Sequence, residues 1–551
     1  MKKAISFILA FTLCMMQCAC SSVKSDVGDY SVLIGLNSKE EGYIVPMLPG
    51  KYSTKNIGDK VKWAAVTPDR SNIVFIKDDG TLHTVAVDSS EAEKIADNAA
   101  EVICLENTGF VYCAETQWGE TSLMQYYRYT FADGELVKLG LMLDGEFADD
   151  SLSAAYTVID GLDEAVEDTS TFDEKKLKVC VRLLNESSCE PETLASASAG
   201  EMSYMNVLAI SEGADKVIWS ENKDSGGSAT VYLYANGDKG TLCSIDGSIS
   251  DVQHNDDLSL MTITDGTNNI LYVSIGGETE KYKFGDTVSD MEIYTDKGRI
   301  SDSTSAVSGL YVSCIGSDGY NLYWVNIDGD REKIAGNLGN YRINNGSILY
   351  TDDEGKLYSA KLSDAEITDA KKISGDVEGF YIAEDERTAI YYKDMGESDA
   401  WTLFAYTGRG EPQKISTEAA GKYYPHFYIA SDSSSILYFE DIEEADSGDY
   451  YGTLMKYSLM DKQSVKISSE VLTDSLFDGR EHNFTYTIDD GCFIYGKYVD
   501  DDGSDIVLNW MLSNGKDSVI VAKDLTMAGF YDRLAAAGTE LAAAVVAALA
   551  K

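Results

Sequence analysis

Residues 378–416 read EGFYIAEDERTAIYYKDMGESDAWTLFAYTGRGEPQKIS. Three marks in this stretch recur along the chain. The first is an apolar pair closing on an aromatic, here Ile390-Tyr391-Tyr392. It returns as Ile73-Val74-Phe75, Phe110-Val111-Tyr112, Val217-Ile218-Trp219, Ile348-Leu349-Tyr350, Ile436-Leu437-Tyr438 and Phe493-Ile494-Tyr495. The second is an aspartate six residues before the aromatic: Asp385 before Tyr391, Asp69 before Phe75 and Asp432 before Tyr438. The third is a closing Lys-Ile pair, Lys414-Ile415, matched by Lys94-Ile95, Lys333-Ile334, Lys372-Ile373 and Lys466-Ile467. From Tyr350 the aromatic recurs at 392, 438 and 495, steps of 42, 46 and 57 residues.

Between these marks lie short β-rich runs such as Leu322-Tyr-Trp-Val-Asn-Ile327, Leu357-Tyr-Ser-Ala-Lys-Leu362 and Leu454-Met-Lys-Tyr-Ser-Leu459. Asp79-Gly80, Asp318-Gly319, Asp328-Gly329, Asn345-Gly346 and Asn514-Gly515 supply residues that accept the positive φ of a tight hairpin turn. Each unit therefore reads as four strands: one ending near the aspartate, one carrying the aromatic, one at the Leu-Tyr run and one at Lys-Ile. Four antiparallel strands repeated every ~40–45 residues is the pattern of a β-propeller. The expected fold is all-β, with about ten blades over ~470 residues. One large ring or two consecutive rings would satisfy this, and two are preferred, divided near 295–310. The expected division is 1–19 signal peptide, 20–30 tether, 31–300 and 301–525 propeller repeats, and 526–551 an Ala-rich helix. Insertions are expected at 160–175 and 440–450, both acidic and poorly periodic.

On these residues the chain resembles TolB-type propeller proteins, in units such as 63–96 and 378–416. Residues 322–336 and 356–374 resemble uncharacterised propeller lipoproteins of Gram-positive gut bacteria. The glycine usual after the turn aspartate in such repeats is Arg70, Glu386 and Ser433 here. The resemblance implies a fold and leaves the role open, because propellers host many functions.

The ends speak about location. Met1-Lys2-Lys3 precedes the uncharged apolar segment 4–16, which is the layout of a secretory signal peptide and too short for a stable membrane span. Gln17-Cys18-Ala19-Cys20 resembles a lipoprotein processing site. Cys20 is the expected lipidation residue and anchors the protein outside the cytoplasm. Alanine's helix propensity makes a short helix the reading of the C-terminal segment.

The formal net charge of −47 becomes −49 without Lys2 and Lys3. Such a surface repels nucleic acid and anionic headgroups and attracts cations or basic proteins. The chain has 35 Tyr, 47 Gly and only 6 Pro, which favours strands and turns. Seven of the 10 cysteines lie in the body, an odd number that cannot all pair internally. Cys104 and Cys113 are candidates for a bridge: a turn at Thr108-Gly109 would set them opposite each other, and a one-residue register shift would separate them. Cys180 and Cys189 share the spacing with a poorer turn.

Chemistry is sparse. His83, His254, His426 and His482 have no metal-ligand spacing, and there is no Gly-x-Ser-x-Gly elbow or phosphate-cradling loop. Calcium is the most plausible ion, with Asp500, Asp502 and Asp505 as candidate ligands and residues 352–355 as a second cluster. Neither fits an EF-hand, because a glycine at position six would put Tyr498 or Tyr350 at position one. Tyr423-Tyr424 and Tyr450-Tyr451 are candidates for stacking on sugars or peptides. No catalytic constellation stands out. The expected role is binding or scaffolding of an envelope protein, peptide or glycan; the alternative is a carbohydrate-active enzyme using carboxylates on the central face of the ring.

Overall fold

The computed structural model describes residues 32–527, apart from 37–41, 49–50, 53–54, 70, 88, 90, 119–120, 149–150, 161–176, 189, 199–203, 223–227, 289–292, 296–297, 302–306, 318, 364–365, 384–386, 395–399, 422–423, 431, 446–447, 476–486, 489–492, 502–505 and 514–517. The signal segment, Cys20 and the alanine-rich segment lie outside the described residues. The last strand, Ser518–Met527, enters the segment expected as a C-terminal helix by two residues.

The fold is a β-propeller of four-stranded antiparallel sheets. The first sheet runs Val61–Val66, Asn72–Lys77, Leu82–Ala86, Glu93–Ala96, each strand paired with the next. The same up-and-down order gives sheets over 99–140, 142–198, 204–245, 249–283, 341–374 and 379–420. The sixth sheet, within 287–338, carries short extra strands at Tyr294–Thr295 and Gly298–Arg299. The ninth unit, Phe427–Ala430 to Gln463–Leu472, continues through one bridge, Val471 opposite Lys497, into the strands from Phe493–Asp501 to Ser518–Met527. Met527 and Thr526 then pair with Gly35 and Leu36 in Val32–Leu36, so the first and last described strands share a sheet.

The repeated marks have distinct physical jobs. The aromatic is the buried centre of the second strand: Phe75, Tyr112, Trp219, Tyr391, Tyr438 and Tyr495 are all essentially inaccessible. Most face a ring directly across on the third strand. Phe75 stacks on His83 (5.1 Å), Tyr112 on Tyr127 (5.2 Å), Trp219 on Tyr232 (5.5 Å), Tyr350 on Tyr358 (5.3 Å) and Tyr391 on Phe404 (5.0 Å). Such cross-strand pairs are the unit of sheet stabilisation. The aspartate closes the turn before that strand. Asp69 accepts hydrogen bonds from the Thr67 hydroxyl (2.7 Å) and from the Ser71 amide (2.9 Å) and hydroxyl (2.7 Å), and Asp432 accepts the Ser434 amide (2.8 Å). Ser433, the residue after the turn aspartate, has φ +54°, in the region glycine favours. At Asn345-Gly346 both residues have positive φ (42° and 65°), the twisted hairpin turn that Asn-Gly prefers.

Among the described residues, each of the first nine sheets buries both faces against its neighbours. Val74 and Ile76 share a core with Phe110 and Tyr112 of the next sheet, Val111 with Tyr156, Val181 with Trp219, and so on to Leu437 with Phe493. This explains strands that are apolar throughout rather than alternating. Within the stretch 295–310, expected to divide two rings, the described strand residues Thr295, Gly298, Arg299, Gly309 and Leu310 belong to the sixth sheet; beside them Ile293 and Ile300 pack in the core shared with the fifth sheet, and Tyr294 in the core shared with the seventh. In the acidic stretch 440–450, expected as an insertion, the described strand residues lengthen the hairpin, with Glu443 opposite Tyr451 and Glu444 opposite Tyr450 after a bulge. Residues 161–176 lie outside the described residues.

Polar ties join the turns of neighbouring sheets. The Asp69 amide donates to Asn107 Oδ1 (2.7 Å), and the Glu212 amide to the Asp256 carbonyl (2.9 Å). Buried Arg128 donates from Nη1 to the Asn185 carbonyl (3.0 Å) and from Nη2 to the Ser188 carbonyl (2.5 Å).

Candidate binding site at the inner strands

The first strand of each sheet is innermost in a propeller, so its side chains border the axis and the inner ends of the crevices between blades. In the third sheet that strand is Met142–Phe147. Register and packing divide its residues. Met142 and Gly145 face the second sheet, and a Cβ on Gly145 would meet Tyr156 Cβ at 2.9 Å and Met142 Cε at 2.7 Å. Asp144 and Glu146 alternate onto the other face, opposite Thr157 and Ala155, toward the core shared with the fourth sheet. Asp144 Oδ2 accepts the Val207 amide (2.9 Å) from that sheet's inner strand, Tyr204–Ile210.

The same device recurs two sheets on. Gln253, in Ile249–His254, accepts the Ile293 amide at Oε1 (2.7 Å) and donates from Nε2 to Asp251 Oδ2 (2.8 Å). Inner strands of neighbouring blades diverge too far for a backbone ladder, and a polar side chain satisfies the amide that would otherwise be orphaned.

Asp144 and Glu146 are electrostatically unlike the rest of the acidic surface. Enclosure by the protein raises the Asp144 pKa, although the amides of Val207 and Gly145 oppose this. Glu146 is pushed up to about 7, first by desolvation of its carboxyl and then by repulsion from Asp144, although the residue as a whole is exposed. Neither carboxyl is lowered by a lysine or arginine of the described residues. Most other shifted aspartates, including Asp69, Asp79, Asp133, Asp257 and Asp432, are held low by the hydrogen bonds of their turns.

The residues singled out from the sequence fare differently. The hairpin turn falls at Asn107-Thr108, with Glu106 opposite Gly109, so Cys104 faces Val111 and Cys113 faces Glu101. That register shift separates the expected bridge partners, and neither is joined in a disulfide. Burial pushes Cys113 and Cys314 up to about 12 and Cys243 to about 11, which leaves them poor nucleophiles. Asp500 is in a strand, paired with Val507, but its side chain and the residues Asp502 and Asp505 lie outside the described residues. Asp352, in the second acidic cluster, accepts the amides of Glu354 (3.0 Å) and Lys356 (2.8 Å) as a turn cap. Among the described residues no three His, Cys, Asp or Glu side chains gather to hold a metal ion.

His83 stacks on Phe75, His254 Nδ1 lies 3.2 Å from the Asn255 carbonyl, and His426 packs between Tyr424 and Phe439; His482 lies outside the described residues. Tyr451 stacks flat on Tyr498 at 4.5 Å and donates to Glu443 (3.0 Å), and Tyr424 is exposed. Motif and spacing do not single out Asp144 and Glu146. Their only local signal is Asp-Gly-Glu in a strand that opens a unit.

No family model matches the chain, and no curated protein does. Among solved structures, a eukaryotic initiation factor is 12% identical over 80% of this chain and 96% of its own, with TM-score 0.40. The uncharacterized protein lmo1340 of Listeria monocytogenes EGD-e is 13% identical over 51% of this chain and 94% of its own, with TM-score 0.30. The tricorn protease is 13% identical over 90% of this chain, which spans 62% of that protease, with TM-score 0.20. Likeness at this level transfers no activity or partner.

Proposed function

We propose that this chain is an extracytoplasmic, TolB-type propeller lipoprotein, anchored through lipid on Cys20, that binds an envelope protein, peptide or glycan. The reading takes the repeats as one array rather than two rings, supported by cores shared across 295–310. The observation that carries it is a set of polar side chains on the inner strands of three successive sheets that are otherwise joined by apolar cores. Asp144, Glu146, Asn206, Asp251 and Gln253 stand on consecutive blades at the place where propellers take up ligands. The surface charge adds attraction for a basic partner.

In-cell cross-linking with mass spectrometry tests the reading. A recurrent envelope partner, lost when inner-strand residues are changed, supports it; no partner above background refutes it. Cys20→Ser should release the protein from the membrane fraction and abolish incorporation of labelled fatty acid.

A second reading, a carbohydrate-active enzyme, is favoured by one observation: Asp144 and Glu146 are paired carboxyls, one of them held protonated toward neutrality. It requires hydrolysis of an oligosaccharide that is lost in Glu146→Gln.

A further inference from the structure

We propose that the inner end of the crevice between the third and fourth sheets is a receptor for a lysine or arginine side chain of a partner polypeptide. The inference rests on the binding reading above and assigns the chemistry of that site.

Charge balance points to a cation. Asp144 and Glu146 lie two residues apart on one strand, so they share a face and repel each other. Of the elements packed against them, the second strand Ala154–Asp160 ends in Asp160, which is engaged by Arg182 Nη2 (2.8 Å). The inner strand of the fourth sheet, Tyr204–Ile210, contributes no charged residue, and the strand beyond it, Lys216–Asn222, carries Lys216 and Glu221 at its ends. Lys216 Nζ is taken by the Asp257 carbonyl (2.5 Å). Lys239 of the outer strand lies over the rings of Tyr232 (3.9 Å) and Trp219 (4.9 Å). The site therefore holds two neighbouring carboxyls and no cation from the described residues.

Hydrogen bonding points the same way, independently of charge. Thr157 stands directly across from Asp144 on the same face of the sheet, is fully inaccessible, and its hydroxyl oxygen has no hydrogen-bond partner. A buried hydroxyl left unsatisfied costs about 1–3 kcal/mol. An N–H donor entering beside Asp144 supplies that partner. A metal ion fits less well, because no third acidic, His or Cys ligand joins the pair among the described residues. An ammonium or guanidinium offers several donors, matching two carboxyls and a hydroxyl acceptor.

The probe is N-acetyl-lysine amide, with N-acetyl-norleucine amide as the uncharged match, titrated calorimetrically into the full chain in buffers of different ionisation enthalpy. The lysine probe should bind, the norleucine probe should not, and protons should be released near pH 6.5. Affinity should fall about tenfold per pH unit below the Glu146 titration, since the probe binds the ionised pair. Asp144→Asn, which keeps an acceptor for the Val207 amide, and Glu146→Gln should each weaken binding about 30-fold or more. Glu444→Gln, an equal loss of one charge on an exposed residue, should change it by less than about twofold. Equal binding of both probes, or binding unchanged in the Asp144 and Glu146 variants, overturns the proposal, as does no binding of the lysine probe. If cross-linking captures an envelope partner whose capture survives both variants, the binding reading stands and this inference falls. If capture is lost only in those variants, both stand.

Discussion

Tyr391→Ala should loosen the joint between the seventh and eighth sheets. Tyr391 is 1% exposed and lies directly opposite Phe404, with ring centroids 5.0 Å apart and planes 7° from parallel. It packs in one core with Leu349 and Leu357 of the seventh sheet and with Ala389 and Tyr406 of its own. Truncating a buried aromatic to alanine costs about 3–5 kcal/mol, because contacts vanish and the cavity relaxes only partly. The stacked pair itself accounts for about 0.5–1.5 kcal/mol of that. Phe404→Leu and the double substitution complete a cycle that isolates this coupling. Each blade touches only its neighbours, so the loss should be local. Hydrogen exchange read by mass spectrometry should show a fall in protection of roughly a hundredfold or more in Ser347–Thr351 and Ala389–Asp394. The first sheet should be unchanged. A loss below about 1 kcal/mol, a coupling near zero, or uniform loss across all sheets would refute the reasoning that the repeated aromatic is an inter-blade anchor.

Three further outcomes are expected. Glu146 has a folded-state pKa of about 7 against an ordinary 4.5, so the wild type loses stability as pH rises from 4.5 to 7 and no more above it; thermal melts of Glu146→Gln should match the wild type at pH 4 and exceed it at pH 8. Alkylation without reductant should label Cys104 and Cys113 fully once the chain is unfolded, whereas the buried Cys113 and Cys314 should react slowly in the native protein; an unlabelled pair after unfolding would restore the bridge. Gly109→Ala places a methyl 2.0 Å from the Tyr129 carbonyl oxygen, so the second sheet must shift, costing about 1–3 kcal/mol in a urea melt; an unchanged midpoint would contradict the pairing of Gly109 with Thr130.

Propeller architecture was legible in the chain because its signals are local and repeated. Hairpin turns demand Asn-Gly or Asp-Gly, a buried strand centre demands a large apolar side chain, and a ring repeats both demands every blade. Asp69, Phe75 and Lys94-Ile95 fall in the turn, second strand and outer strand where their spacing put them. Other features depend on contacts between distant segments. The aromatics facing Tyr391 and Tyr112 are Phe404 and Tyr127, whose identity as partners needs the strand register. Cys104 and Cys113 show how one residue of register overrides spacing: moving the turn to Asn107-Thr108 sends the two thiols to different partners. The packing of Ile293, Tyr294 and Ile300 was hidden because the short strands around them lack the repeat marks and are held by cores on both sides. Asp144 and Glu146 stood among 92 acidic residues. Only packing of one blade on the next part-buries Asp144, brings Glu146 beside it without a counter-charge from the described residues and leaves Thr157 unsatisfied beside them, because desolvation and charge balance are properties of neighbours in space rather than neighbours in the chain.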